Sequence, residues 1–245
     1  MTSSPPDSWQ VLPHGPLTPL AENLWMVSGE VPMMQLERTM VVVRLGDGRL
    51  LLHSAIAMDE PAMKQLEGLG QPSFLVVPSG YHRLDAARYK DRYPEIEVLC
   101  PSGGRSRVEK VVPVDRCYED CPEPIPGDDA VRLTYYDDEG PHLEGILLVR
   151  SSDGLTAVFN DTLFNIPNKK GLFWFLYGRV LGASGGPKVT PLGRLMLLRG
   201  KARSGFKGWL EAAADRDELV RVVPGHGDVL HSDIAAVFRE LACSL

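Results

Sequence analysis

The chain has 245 residues, 44% hydrophobic and 24% charged, a composition that lets a soluble globular chain bury a sizeable core. Its formal net charge of −6 excludes the dense basic surface that nucleic acid or an anionic membrane requires, so neither is an expected partner. Cysteines stand at 100, 117, 121 and 243, and the only close pair, Cys117 and Cys121, has no second pair to complete a zinc ribbon. Free thiols follow, and with them a reducing, cytoplasmic location. The segment Met1 to Asp7 lacks the basic-then-apolar order of a signal peptide, and no apolar run reaches the roughly 20 residues of a membrane span.

A Pro-rich leader over 1–20 precedes one expected domain over 21–245. Leu24 to Val27, Thr39 to Leu45 and Arg49 to Leu52 read as a strand meander, with Gly46-Asp47-Gly48 as the hairpin turn. Pro61 suits a first helical turn, and Met63, Leu66 and Leu69 recur at helical spacing, which predicts a helix over Pro61 to Leu69. A strand over Phe74 to Val77 ends at Pro78-Ser79-Gly80-Tyr81-His82, followed by a helix over Leu84 to Tyr93 and a strand over Glu97 to Cys100. The second half repeats the pattern with strands at Ala130 to Tyr136, Gly145 to Arg150 and Leu155 to Phe159. Then comes a helical insertion at about 168–204 with an apolar stretch, Phe173 to Leu181, broken by Gly182 to Pro187. Such a stretch serves as a lid, as a homodimer surface over 171–182, or as a helix packed on the core. A helix over Phe206 to Ala214, a strand over Arg221 to Val223 and a helix over Ser232 to Leu241 finish the chain. Meanders with helices between them predict two sheets covered by helices.

Chemistry-bearing residues gather at strand ends, where α/β folds place their sites. The segment Val158 to Phe164 carries Asp161 at its strand end, and Val222-Val223-Pro224 runs into Gly225-His226-Gly227. Of the six histidines, His53, His82 and His226 fall at expected strand ends, and His142 lies in a turn just before a strand. A lone histidine in such a place is usually a hydrogen-bonded structural residue; four of them with a carboxylate form a ligand set suited to zinc or iron.

From about Asn23 onward, these segments resemble the metallo-β-lactamase superfamily. Arg49 to Ala55 is similar to its strand ending in Asp-Thr-Gly, with His53 where the aspartate stands. Phe74 to Pro94 is similar to the strand, H-x-H-x-D-H loop and helix, with His82 on the last histidine. Gly140 to Gly145 resembles the G-H-T-P-G turn, which puts His142 on a ligand position. Val158 to Phe164 resembles the strand ending in the bridging aspartate, Asp161, and Val223 to Gly227 resembles the P-G-H-G segment carrying His226. The resemblance implies a four-layer αββα sandwich.

The loop that should read H-x-H-x-D-H is degenerate: it reads Val77-Pro78-Ser79-Gly80-Tyr81-His82, without two of the histidines and without the aspartate. His53-Ser54-Ala55 and the Tyr81-His82 loop are similar to one branch of the superfamily, a domain family of unknown function. On this resemblance His82, Asp161 and His226 are the minimum ligands for one zinc or iron ion, and His142 or His53 is a candidate fourth. The implied activity is a mononuclear metal-dependent hydrolase of a small molecule, with Asp161 as ligand and proton acceptor and Tyr81 donating to a developing oxyanion. The alternative is a pseudoenzyme that holds no metal and binds a small molecule or protein in the old cleft. Di-iron flavoprotein chemistry needs more carboxylate and histidine ligands than these.

Overall fold

The computed structural model describes residues 9–32, 34–120, 123, 128–136, 142–175, 178 and 182–245. The first half of the chain supplies β1 (Thr18–Ala21), β2 (Leu24–Glu30), β3 (Glu37–Arg44), β4 (Arg49–His53), β5 (Gln71–Val76), β6 (Glu97–Cys100) and β7 (Arg116–Cys117), side by side in that order in one sheet. β1 to β4 form an antiparallel meander, and β4 to β7 run parallel. The parallel crossovers carry α1 (Glu60–Leu69), α2 (Ala86–Arg92) and α3 (Arg105–Val108).

The second half supplies β8 (Val131–Thr134), β9 (Ile146–Ser151), β10 (Gly154–Val158), β11 (Phe164–Ile166), β12 (Gly186–Lys188), β13 (Leu219–Val223) and β14 (His226–Gly227). A second sheet has the order β13-β10-β9-β8, and a small third one the order β12-β11-β14. Helices α4 (Leu172–Trp174), α5 (Pro191–Met196), α6 (Lys201–Ala214) and α7 (Ile234–Ser244), with single 3-10 turns at Ser102–Gly104 and Tyr118–Asp120, complete the described elements.

Side-chain alternation along the strands sets the layers. Leu50 and Leu52 of β4 pack with Met63 and Leu66 of α1 and Tyr89 of α2. Leu51, between them, points the other way and meets Leu147, Val149, Val158 and Val223 of the second sheet. On that sheet's outer face, Ile146, Leu155 and Val222 pack against Phe206 and Leu210 of α6 and Phe238 of α7. Helices, sheet, sheet, helices: this is the four-layer αββα sandwich.

Several boundaries differ from the sequence reading. β1 begins inside the Pro-rich stretch, because Pro19 sits on an edge strand where a missing N–H costs no ladder bond. β5 begins at Gln71, three residues early, and Pro72 is accommodated where the register with β4 shifts. α6 starts at Lys201 despite Gly205 and Gly208, since its Phe206 and Leu210 face is fully buried and tertiary packing outweighs glycine's propensity cost. The expected helical insertion at about 168–204 holds β12 between α4 and α5, while Leu176, Tyr177, Val180 and Leu181 of the expected apolar stretch lie outside the described residues, as does Cys121. Cys100, Cys117 and Cys243 are free thiols. Among the described residues no helix is long and apolar enough to cross a membrane.

Candidate metal centre

The two sheets deliver their parallel strands to the same edge. β4 ends at His53, β5 leads into the 77–85 loop carrying His82, β10 leads into Asp161, and β13 leads through Pro224 and Gly225 to His226 on β14. One backbone contact ties the last two together. A side chain at Gly225 would lie 2.6 Å from the carbonyl oxygen of Asn160, so glycine alone lets the chain before His226 pass against the chain before Asp161.

His82, Asp161 and His226 form one group, with ligand atoms all within 4.8 Å of one another. Nε2 of His82 lies 2.9 Å from Oδ1 of Asp161, and Nε2 of His226 lies 3.2 Å from the same oxygen. The far nitrogens are held as well. Nδ1 of His226 is 2.6 Å from the carbonyl oxygen of Glu37, an acceptor only, so Nδ1 carries the proton. In a neutral ring, Nε2 then presents a lone pair to a carboxylate oxygen. That pairing is repulsive unless the ring gains a second proton or a cation sits between them. Nδ1 of His82 meets the Ser54 hydroxyl at 3.1 Å, the kind of outer partner that fixes ring orientation in metal sites. The donor set, two imidazole nitrogens and one carboxylate, fits zinc or ferrous iron.

Asp161 is positioned by a buried carboxylate that the sequence reading passed over. Glu144 accepts hydrogen bonds from the successive backbone N–H groups of Asn160, Asp161 and Thr162 at 3.2, 2.8 and 3.1 Å, and from the Thr162 hydroxyl at 2.5 Å. Tyr136 donates to Thr162 Oγ1 at 2.8 Å and extends the network. Burial pushes the Glu144 carboxyl up, and the nearby Asp161 charge adds to this. For Asp161 itself, burial acts upward, but the His82 and His226 imidazoles more than offset it and hold the carboxyl well below the usual carboxylate range.

The other sequence candidates occupy different surroundings. His53 is buried beyond Leu51 on the face between the sheets, its Nδ1 lacks a hydrogen-bond partner, and burial followed by the neighbouring His82 lowers its pKa to about 3. His142 is buried with its ring stacked on Tyr135, centroids 4.0 Å apart. Neither joins the three-residue group. Tyr81 is 43% exposed at the mouth of the adjoining pocket, with the Arg107 guanidinium 4.7 Å above its ring.

That pocket has a volume of about 460 Å³ and reaches the His82, Asp161 and His226 side chains. One wall comes from the 31–36 segment and the other from α5. Arg38 also lines it, but the guanidinium is engaged: it donates to the Ala55 carbonyl at 2.7 Å and pairs with Asp85, which also accepts from the Ala57 N–H at 3.0 Å and from Arg88. Asp85 is thereby drawn out of the helix expected from Leu84, and α2 begins at Ala86.

No family model matches the sequence, and comparison with curated proteins finds no match. Solved structures do match over almost the whole chain. The DIM-1 metallo-β-lactamase superposes with a TM-score of 0.60 at 12% identity, covering 95% of this chain and 99% of that one. The mono-zinc form of the metallo-β-lactamase FIM-1 from Pseudomonas aeruginosa gives a TM-score of 0.60 at 13% identity, covering 97% and 98%. At such identities the likeness establishes the fold: this is a divergent metallo-β-lactamase fold.

Proposed function

We propose that the protein is a hydrolase of a small molecule, dependent on one zinc or iron ion held by His82, Asp161 and His226. The observation that carries this is the His226 ring: its Nδ1 proton is spent on the Glu37 carbonyl, and its Nε2 faces the carboxylate oxygen already shared with His82. Such an ion supplies Lewis acidity, polarising a carbonyl oxygen and acidifying water. The chain supplies the rest. Glu37 and Ser54 orient the two imidazoles, and Glu144 fixes the loop that presents Asp161. The second oxygen of Asp161 serves as proton acceptor, and the Tyr81 phenol lining the pocket donates to the developing oxyanion.

The test is elemental analysis of protein purified without added metal, followed by turnover assays of the zinc- and iron-loaded forms. Stoichiometric metal that is lost in His226→Ala together with turnover supports the reading. The competing reading, a metal-free binding protein, draws on the same contacts, since Asp161 can satisfy two imidazolium rings by itself. Absence of metal in the purified protein, with no binding of added zinc or iron, would establish it instead.

A further inference from the structure

The pocket beside the metal-ligand group is walled almost entirely by hydrocarbon. Val31, Met34 and Leu36 line it together with Phe164, which packs with Leu36, and Leu192 and Met196 of α5 complete the lining. Apart from the Tyr81 phenol, its polar groups are largely committed. Arg38 is buried against Asp85 and the Ala55 carbonyl, the Thr190 hydroxyl accepts from the Gly193 N–H at 2.9 Å as the cap of α5, and Asp161 is shared between two imidazoles. Among the described lining residues no lysine or free arginine remains to hold a phosphate or carboxylate tail. The apolar character continues to the rim, where Leu192 is 60% exposed and Leu84 42%. An exposed apolar rim leading into an apolar cavity is a path for a ligand that leaves water along its whole length.

We infer that the substrates are uncharged carboxylic esters with an aliphatic acyl chain, the chain lying between the 31–36 segment and α5. This rests on the hydrolase reading above and narrows it. Water's oxygen bonds to the acyl carbon, the acyl C–O bond breaks, and one proton from water ends on the departing alcohol while the acid retains the other. Substrates with an anionic tail are disfavoured because the apolar walls away from the metal-ligand group would leave that charge unpaired. An ester also expels its alkoxide with less proton donation than an amide needs, which suits a site whose Tyr81 phenol is taken up by the oxyanion.

The experiment uses the metal-loaded full chain with p-nitrophenyl acetate, butyrate and hexanoate, with the anionic cephalosporin nitrocefin as a contrast, and measures binding of the uncharged dye N-phenyl-1-naphthylamine in parallel. The expected kcat/KM rises with chain length, roughly three- to fourfold per methylene. Leu192→Glu flattens that rise and weakens dye binding, whereas Leu195→Glu, on the same helix but outside the pocket and 62% exposed, changes neither. A flat or falling chain-length profile, equal effects of the two variants, or preferential turnover of nitrocefin overturns the inference while leaving the hydrolase reading intact. If none of these is turned over, esters are not substrates, the hydrolase reading stands or falls on the metal analysis above, and the dye decides whether an ester is a ligand. Displacement by ethyl hexanoate in a Leu192-dependent way upholds the aliphatic ester as ligand, and no displacement removes it.

Discussion

Ser54 holds a left-handed backbone, φ 57°, at the end of β4, and from that conformation its hydroxyl lies 3.1 Å from Nδ1 of His82. A non-glycine residue there costs about 1–2 kcal/mol, so the surrounding structure must enforce it. The Ser54 N–H does part of this by donating to the Val76 carbonyl at 3.0 Å, which fastens the turn to β5. Strain and hydrogen bond can be separated by two substitutions. Ser54→Ala keeps the strain and loses the hydroxyl; Ser54→Gly loses both. The glycine variant should therefore unfold at higher denaturant than the alanine variant, by about 1 kcal/mol. Both should bind zinc about 10- to 100-fold more weakly than wild type, as expected when an outer partner of a ligating histidine is removed. Denaturant melts and zinc titration against a competing chelator read the two effects, and wild-type zinc affinity in either variant would show that Ser54 does not orient His82.

Gly225 offers a second separation, between backbone approach and glycine propensity. In Gly225→Ala the new methyl would sit 2.6 Å from a backbone oxygen of Asn160, which cannot swing aside as a side chain would. The two ligand-bearing segments must part, so the variant should lose about 1–3 kcal/mol of stability and bind zinc less tightly. Gly208 is the control. It is exposed inside α6 with open space around it, so Gly208→Ala should gain roughly 0.5–1 kcal/mol and leave metal affinity unchanged. Similar zinc affinities for the two variants would mean that the Gly225 approach does not set the His226 to Asp161 distance.

These two residues mark how far the sequence is readable. Gly225 is legible as part of the segment that carries His226, but the Asn160 backbone contact that requires a glycine there is not. The layers are legible too: Leu50, Leu51 and Leu52 alternate between helix-facing and sheet-facing cores, as period-two alternation requires. Ser54 is not legible, since nothing local announces a left-handed serine. Glu144 is hidden for a different reason. A carboxylate in a turn before a strand reads as solvated, and only the tertiary fold shows three successive N–H groups from the 160–162 loop converging on it. Pro19 misleads in the opposite direction, since an edge strand accepts the proline that suggests an irregular leader.

Glu144→Gln tests that convergence. Oε1 of the glutamate serves Asn160, Thr162 and the Thr162 hydroxyl, while Oε2 serves the Asp161 N–H. An amide retains one acceptor oxygen and must turn its NH₂ towards another donor. The expected cost is about 1–3 kcal/mol, the range for a buried donor left unsatisfied. Chemical denaturation measures it; a variant as stable as wild type would mean that the carboxylate is not what holds the Asp161 loop.

His53 should make the metal-free protein acid-sensitive. Its ordinary pKa of 6.5 falls to about 3 in the fold, chiefly through burial and then through His82. For a base with a depressed folded pKa, the unfolded state binds the extra proton first. The stabilising effect is therefore complete above pH 6.5 and is lost as pH falls towards 3. The slope is about 1.4 kcal/mol per pH unit for one proton. Glu144 opposes this, because a carboxyl raised by burial takes up its proton on folding and favours the native state as pH falls. Asp161, held low, acts only below the ordinary carboxylate range. Substitution at His53 alone cancels both of these contributions. The stability difference between wild type and His53→Leu, measured in chelator between pH 6.5 and 4, should shift steadily in favour of the leucine variant as pH falls. A pH-independent difference would mean that His53 is protonated in the native protein, and a buried imidazolium there would need a counter-charge that Leu51 and its apolar neighbours do not provide.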